Sequence, residues 1–168
     1  MSEFSFLQKV PLFEQFDEAE LRRLDEVLVR TAFEPGELIL GEGQPNRALH
    51  VVRDGRVRVS HAADEGDVIL SDLPAGRTFG ELSILDDGTA SATLRAIPRT
   101  VVLSLSFVDL NQILDDSPPT AAKFWRAIAL DLRARLLQTN EVVRTYFEVN
   151  RNLIDNPRFR EAYAMMAK

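Results

Sequence analysis

Cysteine is absent from the 168 residues, which excludes disulfide scaffolds, thiolate zinc sites, iron–sulfur ligation and thiol nucleophiles in one step. Histidine is scarce: His50 and His61 are the only two, and neither has a partner at metal-ligand or catalytic spacing. Both read as structural, and no metal is expected. Long apolar runs are missing as well. The N-terminus, MSEFSFLQKVPLFEQF, breaks its apolar residues with Glu3, Gln8 and Lys9, so it lacks the core of a signal peptide. No stretch approaches the roughly 18 apolar residues of a membrane span. A cytoplasmic protein without a membrane partner is the expectation. Positive charge is also in deficit, with 20 Lys+Arg against 26 Asp+Glu and a net charge of -6. That balance argues against a general electrostatic grip on nucleic acid or anionic lipid, and Arg133 with Arg135 is too small a cluster to form a patch. The acidic pairs Asp86-Asp87 and Asp115-Asp116 are adjacent residues that read as solvated turns. No nucleophile, base and orienting group stand together, so no catalytic residues are expected and the chain does not read as an enzyme.

What is present is an ordinary globular composition, 45% hydrophobic and 27% charged, at a length that suits one domain with an appendage. Periodicity divides it. In residues 1–30, Phe6, Leu7, Val10, Leu12 and Phe13 surround Pro11, and Asp17 with Glu20 has capping-box spacing ahead of Leu21, Leu24, Val27 and Leu28. This predicts a helical lead-in. In residues 31–106 short apolar runs alternate with glycine turns: Leu38–Leu40, Leu49–Val52, Val57–Val59, Val68–Leu70, Ala92–Ala96 and Val101–Leu105. Such spacing predicts an all-β sandwich or barrel. Alternation in Gly55-Arg56-Val57-Arg58-Val59 sends the valines inward and the arginines to solvent.

From Phe107 the helical period returns, with a stop and restart at Ser117-Pro118-Pro119. Residues 107–155 then read as a hinge and one long helix. Trp125, Ile128, Leu132, Arg135, Thr139, Val142, Tyr146, Val149 and Leu153 recur at threes and fours over about four heptads, the pattern of a coiled-coil-like seam. Phe124, Leu136, Val143 and Phe147 widen that stripe. Trp125, Ile128, Leu132, Leu136, Val142 and Tyr146 are the expected contacts of a parallel homodimer. Asn156-Pro157 marks a new start, giving a short C-terminal helix over 156–168 that carries Phe159, Tyr163, Met165 and Met166.

The richest segment is Phe79-Gly80-Glu81-Leu82-Ser83-Ile84-Leu85-Asp86-Asp87-Gly88-Thr89-Ala90-Ser91-Ala92. A glycine followed by a short helical turn presents backbone N–H groups able to hold a phosphate, a weak signal by itself. These residues resemble the phosphate-binding cassette of the cyclic nucleotide-binding domains, those of the catabolite-activator type and of the cAMP-dependent kinase regulatory subunits. Gly36-Glu37-Leu38-Ile39, Glu42-Gly43 and Val51-Val52-Arg53-Asp54-Gly55-Arg56-Val57-Arg58-Val59 are similar to that family's first strands. The resemblance covers about Phe6 to Glu148. It implies a mainly β fold with flanking helices: an eight-stranded, jelly-roll-like β-barrel plus a long C-terminal dimerisation helix. It implies cAMP or cGMP as ligand, with no other cofactor. By the same resemblance Gly80, Leu82 and Ser83 form the phosphate turn, Glu81 accepts the ribose 2′-hydroxyl, Ser91 joins the phosphate beside Ala92, Val59 and Leu70 line the base, and Thr139 and Asn140 read the purine.

One departure stands out. Where the family carries an arginine on the phosphate, this chain has Ala90. Cutting one end of a buried, hydrogen-bonded charge pair costs ~2–5 kcal/mol, and the negative Glu81 is still there. Arg95 lies an odd number of residues from Ala90 and faces the other way in a regular strand. Arg135, one turn from Thr139, is the better substitute, pairing with Glu81 or reaching the phosphate. Only fifteen residues follow Leu153, too few for a helix-turn-helix, so no direct DNA contact is expected. Three readings stay open: a regulatory module that senses a cyclic nucleotide and signals through its long helix to a protein partner, a ligand-independent dimeric interaction module with a degenerate site, and a sensor of a different ligand such as a dinucleotide or a less charged metabolite.

Overall fold

Asp17 and Glu20 cap the first substantial helix as their spacing predicts: the Glu20 N–H donates to Asp17 Oδ1 at 2.9 Å, and the Asp17 N–H donates to Glu20 Oε2 at 2.7 Å. That helix, α2 (Glu18–Val27), follows a short α1 (Glu3–Leu7) and a single 3₁₀ turn at Pro11–Phe13. The computed structural model describes residues 3–64, 66–84 and 88–155, with side chains through Arg151. The chain divides into two compact units, Met1–Ile128 and Ala129–Lys168.

The strands are β1 (Val29–Phe33), β2 (Leu38–Leu40), β3 (Ala48–Asp54), β4 (Arg56–His61), β5 (Val68–Pro74), β6 (Thr78–Phe79), β7 (Thr93–Ala96) and β8 (Thr100–Ser106). Eight strands and flanking helices give the mainly β class expected, but the expected barrel does not close. The strands form two separate four-stranded antiparallel sheets, ordered β1-β8-β3-β6 and β2-β7-β4-β5. A cause is visible at the edges: β6 has two residues and β2 three, ladders too short to carry hydrogen bonding from one sheet into the other. Between the sheets, Val52, Phe79 and Val102 of the first meet Val57 and Leu94 of the second. Phe33, Ile39, Leu40, Val59 and Leu73 pack around this core. The valines of β4 thus face inward as alternation requires, and Arg58 instead pairs with Asp72 of β5 at 2.9 Å.

Helix α3 (Phe107–Asp116) starts at Ser106, whose Oγ accepts from the Asp109 N–H at 3.1 Å. Helix α4 runs Pro118–Asp155, its two leading prolines placed where a helix has no internal N–H partners to lose. In the first unit, the start of α4 is tied to α2. Glu20 Oε1 accepts from Thr120 Oγ1 at 2.6 Å, and Lys123 Nζ lies 2.7 Å from Glu20 Oε2. Burial raises the cost of charging Glu20, yet the hydrogen bonds from Lys123 and Thr120 outweigh it and hold the carboxyl below its usual range. Phe124 and Ile128 are buried on the same stretch of helix. Ile128 was expected at a dimer seam; its burial within the chain leaves it little area to offer a second copy. The expected helix over 156–168 lies outside the described residues.

Candidate functional site

The site begins where β6 ends. Gly80 has φ +83°, a left-handed conformation, and a methyl group there would stand 2.6 Å from Asn46 Nδ2 and 2.8 Å from the Ala48 carbonyl oxygen. Both the backbone angle and the crowding demand glycine. Glu81 follows at 2% exposure, then a 3₁₀ turn at Leu82–Ile84 closed by the Ile84 N–H on the Glu81 carbonyl at 3.1 Å. Ser83 is buried and its Oγ donates to the Thr89 carbonyl at 2.8 Å, fastening the turn to the far arm of the cassette.

That far arm pairs with the segment before β3. The Ala90 N–H donates to the Gln44 carbonyl at 2.9 Å, the Gly43 N–H to the Ala90 carbonyl at 2.8 Å, and the Asn46 N–H to the Gly88 carbonyl. Thr89 and Pro45 form a bridge between them. Ala90 and Ala92 are buried, and Ser91 is exposed. The Ser83–Thr89 bond therefore brings the arm from Gly80 to Ser83 together with the arm from Gly88 to Ala92.

Behind it stands a polar network that the sequence did not disclose. Asn46 Nδ2 donates to the carbonyls of Ala48 and Gly80, at 2.9 and 3.4 Å, while its Oδ1 accepts from the Ala48 N–H at 3.2 Å. His50 Nε2 lies 3.1 Å from the same Oδ1, so this nitrogen carries the proton, and Nδ1 accepts from Ser104 Oγ at 2.8 Å. The ring stacks on Phe79, centroids 4.8 Å apart. Loss of hydration pushes its pKa down to about 4, so it is a neutral link between β8, Asn46 and the Gly80 turn. Reading His50 as structural leaves out this link; Asn46, four residues ahead of it and just before β3, is the available signal.

Other expected residues are placed differently. Val59 is partly buried against the core and Leu70 is exposed. Val59 pairs with Ser71 and Ser60 with Ile69, which makes Leu70 the extra residue of a β-bulge. Arg95 points away from the cassette as parity requires, donating to the Gly36 carbonyl at 3.2 Å. Arg135, Thr139 and Asn140 belong to the second unit. There Arg135 pairs with Asp131 at 2.6 Å, and the Thr139 hydroxyl donates to the Arg135 carbonyl at 3.0 Å. Among the described residues no group of three His, Cys, Asp or Glu side chains could hold a metal ion, and no helix is long and apolar enough to cross a membrane.

The sequence model of the cyclic nucleotide-binding domain matches residues 30–117. The chain is 34% identical over 109 residues to the cGMP-dependent protein kinase of Eimeria tenella, covering 65% of this chain and 10% of the kinase. It is 25% identical over 128 residues to the CRP-like cAMP-activated global transcriptional regulator of Mycobacterium tuberculosis, covering 76% of this chain and 57% of the regulator. The chain thus spans less than two thirds of either relative. The crystal structure of the N-terminal domain of a transcriptional regulator from Streptomyces coelicolor superposes with a TM-score of 0.68 at 29% identity, over 82% of this chain and 94% of that one.

Proposed function

The chain belongs to the cyclic nucleotide-binding domain family, and from that premise we propose that it is a regulatory module that takes cAMP or cGMP on the Gly80–Ala92 cassette and signals through α4 to a protein partner. The observation that carries this reading is the Gly80-Glu81 turn, closed on Thr89 by Ser83 and held from behind by Asn46 and His50. Binding a small anion by backbone N–H groups needs donors fixed in advance, because ordering them at the moment of binding subtracts from affinity. In this reading Gly80, Leu82 and Ser83 present those donors, Ser91 adds a hydroxyl, and Glu81 takes the ribose. The parts of Val59, Leu70, Arg135, Thr139 and Asn140 rest on the family resemblance alone. The apolar residues Leu136, Val142 and Tyr146, exposed along α4, support a homodimer as the form in which the signal is passed.

A thermal melt with millimolar cAMP, cGMP or cyclic di-GMP tests the reading. Ligand at ~100 times its dissociation constant adds about 2.7 kcal/mol, several degrees in midpoint for a chain of this size. A rise with cAMP or cGMP is the expected result. No rise with any of the three removes the cyclic-nucleotide reading and leaves a ligand-independent interaction module or a sensor of a different ligand.

A further inference from the structure

Ala90 leaves the cassette without a cation of its own, yet an arginine stands beside the loop on the neighbouring segment. The Asn46 N–H is bonded to the Gly88 carbonyl, so the next residue, Arg47, runs alongside the cassette's far arm. Gly88 has φ +78°, and a methyl group built on it would meet the Asn46 carbonyl oxygen at 3.0 Å and Arg47 Cγ at 3.9 Å. The Arg47 stem therefore lies beside the space that a Gly88 side chain would occupy, and glycine leaves that space open. Arg47 is exposed. No hydrogen bond or ion pair engages its guanidinium among the described residues, in contrast to Arg58, which is paired with Asp72, and Arg95, which is bonded to Gly36.

The backbone of Arg47 is fixed although its side chain is not. Its carbonyl accepts from the Phe107 N–H at 2.9 Å, and Asn46 beside it holds the Gly80 carbonyl and His50. One short segment, Gly43 to Arg47, thus touches both arms of the cassette: Asn46 reaches the Gly80 turn, and Gly43, Gln44 and Asn46 pair with Gly88 and Ala90.

On the reading that the cassette takes a cyclic nucleotide, we propose that Arg47 supplies the positive charge that meets the ligand's phosphate, the role Ala90 cannot perform. A guanidinium offers a planar fork of donors to phosphate oxygens, and among the described residues Arg47 has no ion pair to give up when it swings onto the ligand. Because the charge comes from the segment before β3 rather than from within the cassette, binding also draws that segment and the α3 start, through Phe107, into the ligand's contact set.

Binding of cAMP and cGMP by calorimetry to the full chain and to Arg47→Ala, Arg47→Lys, Arg56→Ala and Arg47→Ala/Ala90→Arg tests the proposal. A hydrogen bond to a charged group contributes ~1.5–3 kcal/mol, so Arg47→Ala is expected to weaken binding roughly 10- to 100-fold with an unchanged melting midpoint. Arg47→Lys retains part of the affinity, the double variant regains it, and Arg56→Ala, an exposed arginine at the head of β4, binds like the unaltered chain. Undiminished binding by Arg47→Ala overturns the proposal while the sensor reading stands. Binding by Arg47→Ala/Ala90→Arg but not by the unaltered chain overturns it too, because the native site then lacks the cation. If no variant binds either nucleotide, the sensor reading falls and the proposal falls with it.

Discussion

Leucines of the same kind meet opposite fates in the two units of this chain. On β8, Leu103 is 1% exposed inside the first unit; on α4, Leu136 is 61% exposed in the second. Val142, Tyr146, Phe147 and Val149 share the condition of Leu136, and Leu49, Val52, Leu105 and Phe124 share that of Leu103. The first unit buries a core of its own residues, although Val29, Val68, Ile69, Leu70 and Val108 stay exposed on it. The α4 segment beyond Ile128 gains helical order from local pairs such as Arg144 with Glu141 at 2.6 Å, each contributing only ~0.2–0.5 kcal/mol. Its apolar stripe is stabilising only when another surface covers it.

The widest gap between the units should appear when one substitution is made in both. Leu103→Ala removes buried methyl groups from a close-packed sheet and is expected to cost about 2–5 kcal/mol in urea denaturation. Leu136→Ala is expected to stay within about 0.5 kcal/mol at protein concentrations where the chain is monomeric. At higher concentration Leu136→Ala should weaken self-association measured by sedimentation, with the first unit's melting unaltered. Equal costs at low concentration would show that α4 is already covered within one chain, and the contrast would dissolve.

Protonation offers a second contrast, because both histidines lie in the first unit. The pKa of His50 falls from the usual 6.5 to about 4 in the folded chain. Below pH 6.5 the unfolded chain takes up a proton that the folded chain refuses, so stability declines as pH drops from 6.5 toward 4 and levels off beneath that. The decline attributable to this ring is up to about 3 kcal/mol. His50→Gln, which keeps a donor and an acceptor, should flatten the slope in that window, as read by denaturation at pH 7, 5.5 and 4.5. Parallel slopes in the two proteins would detach the acid sensitivity from the Asn46–His50–Ser104 network. The cassette turn rests on that network, so nucleotide affinity should fall over the same pH interval.

Much of this was legible before the structure, where local chemistry speaks loudly. The capping box at Asp17 and Glu20, the glycine turn at Gly80 and the proline restart at Pro118 are written in residue types that do one thing. Six strands could be read from apolar runs. The two that escaped had no run to read: β6 is two residues long, and β1 begins immediately after α2 with Arg30 and Thr31 in its middle. The bulge at Leu70 and the failure of the sheets to close depend on register and edge length, which no periodicity encodes. The support of the cassette was hidden for another reason. Gly80 and Ser104 are far from Asn46 and His50 in sequence, and only the antiparallel pairing of β3 with β6 and β8 brings Gly80 to the Asn46 amide and Ser104 to the imidazole. Arg47 carries no signal of its own in the sequence, because only the pairing of residues 43–46 with 88–90 sets it beside the cassette.

The smallest effect separates two ion pairs of nearly equal length. Lys123 and Glu20 lie 2.7 Å apart in the first unit, partly buried and shared with Thr120; Arg144 and Glu141 lie 2.6 Å apart on α4, both exposed. Distance alone would rank them together, whereas solvent decides otherwise. Water screens the α4 pair and competes for its donors, so Arg144→Met is expected to change stability by less than about 0.5 kcal/mol. Lys123→Met strips a charged donor from a carboxylate that has already lost part of its hydration, and should cost about 1–2 kcal/mol at pH 7. The depressed pKa of Glu20 gives the control its sign. Its stabilising contribution is present above the usual carboxyl value of 4.5 and is lost as pH falls through the lower folded value, so the gap between Lys123→Met and the unaltered chain should narrow in that acid range. A gap that persists there would assign the loss to the packing of the lysine stem rather than to its charge.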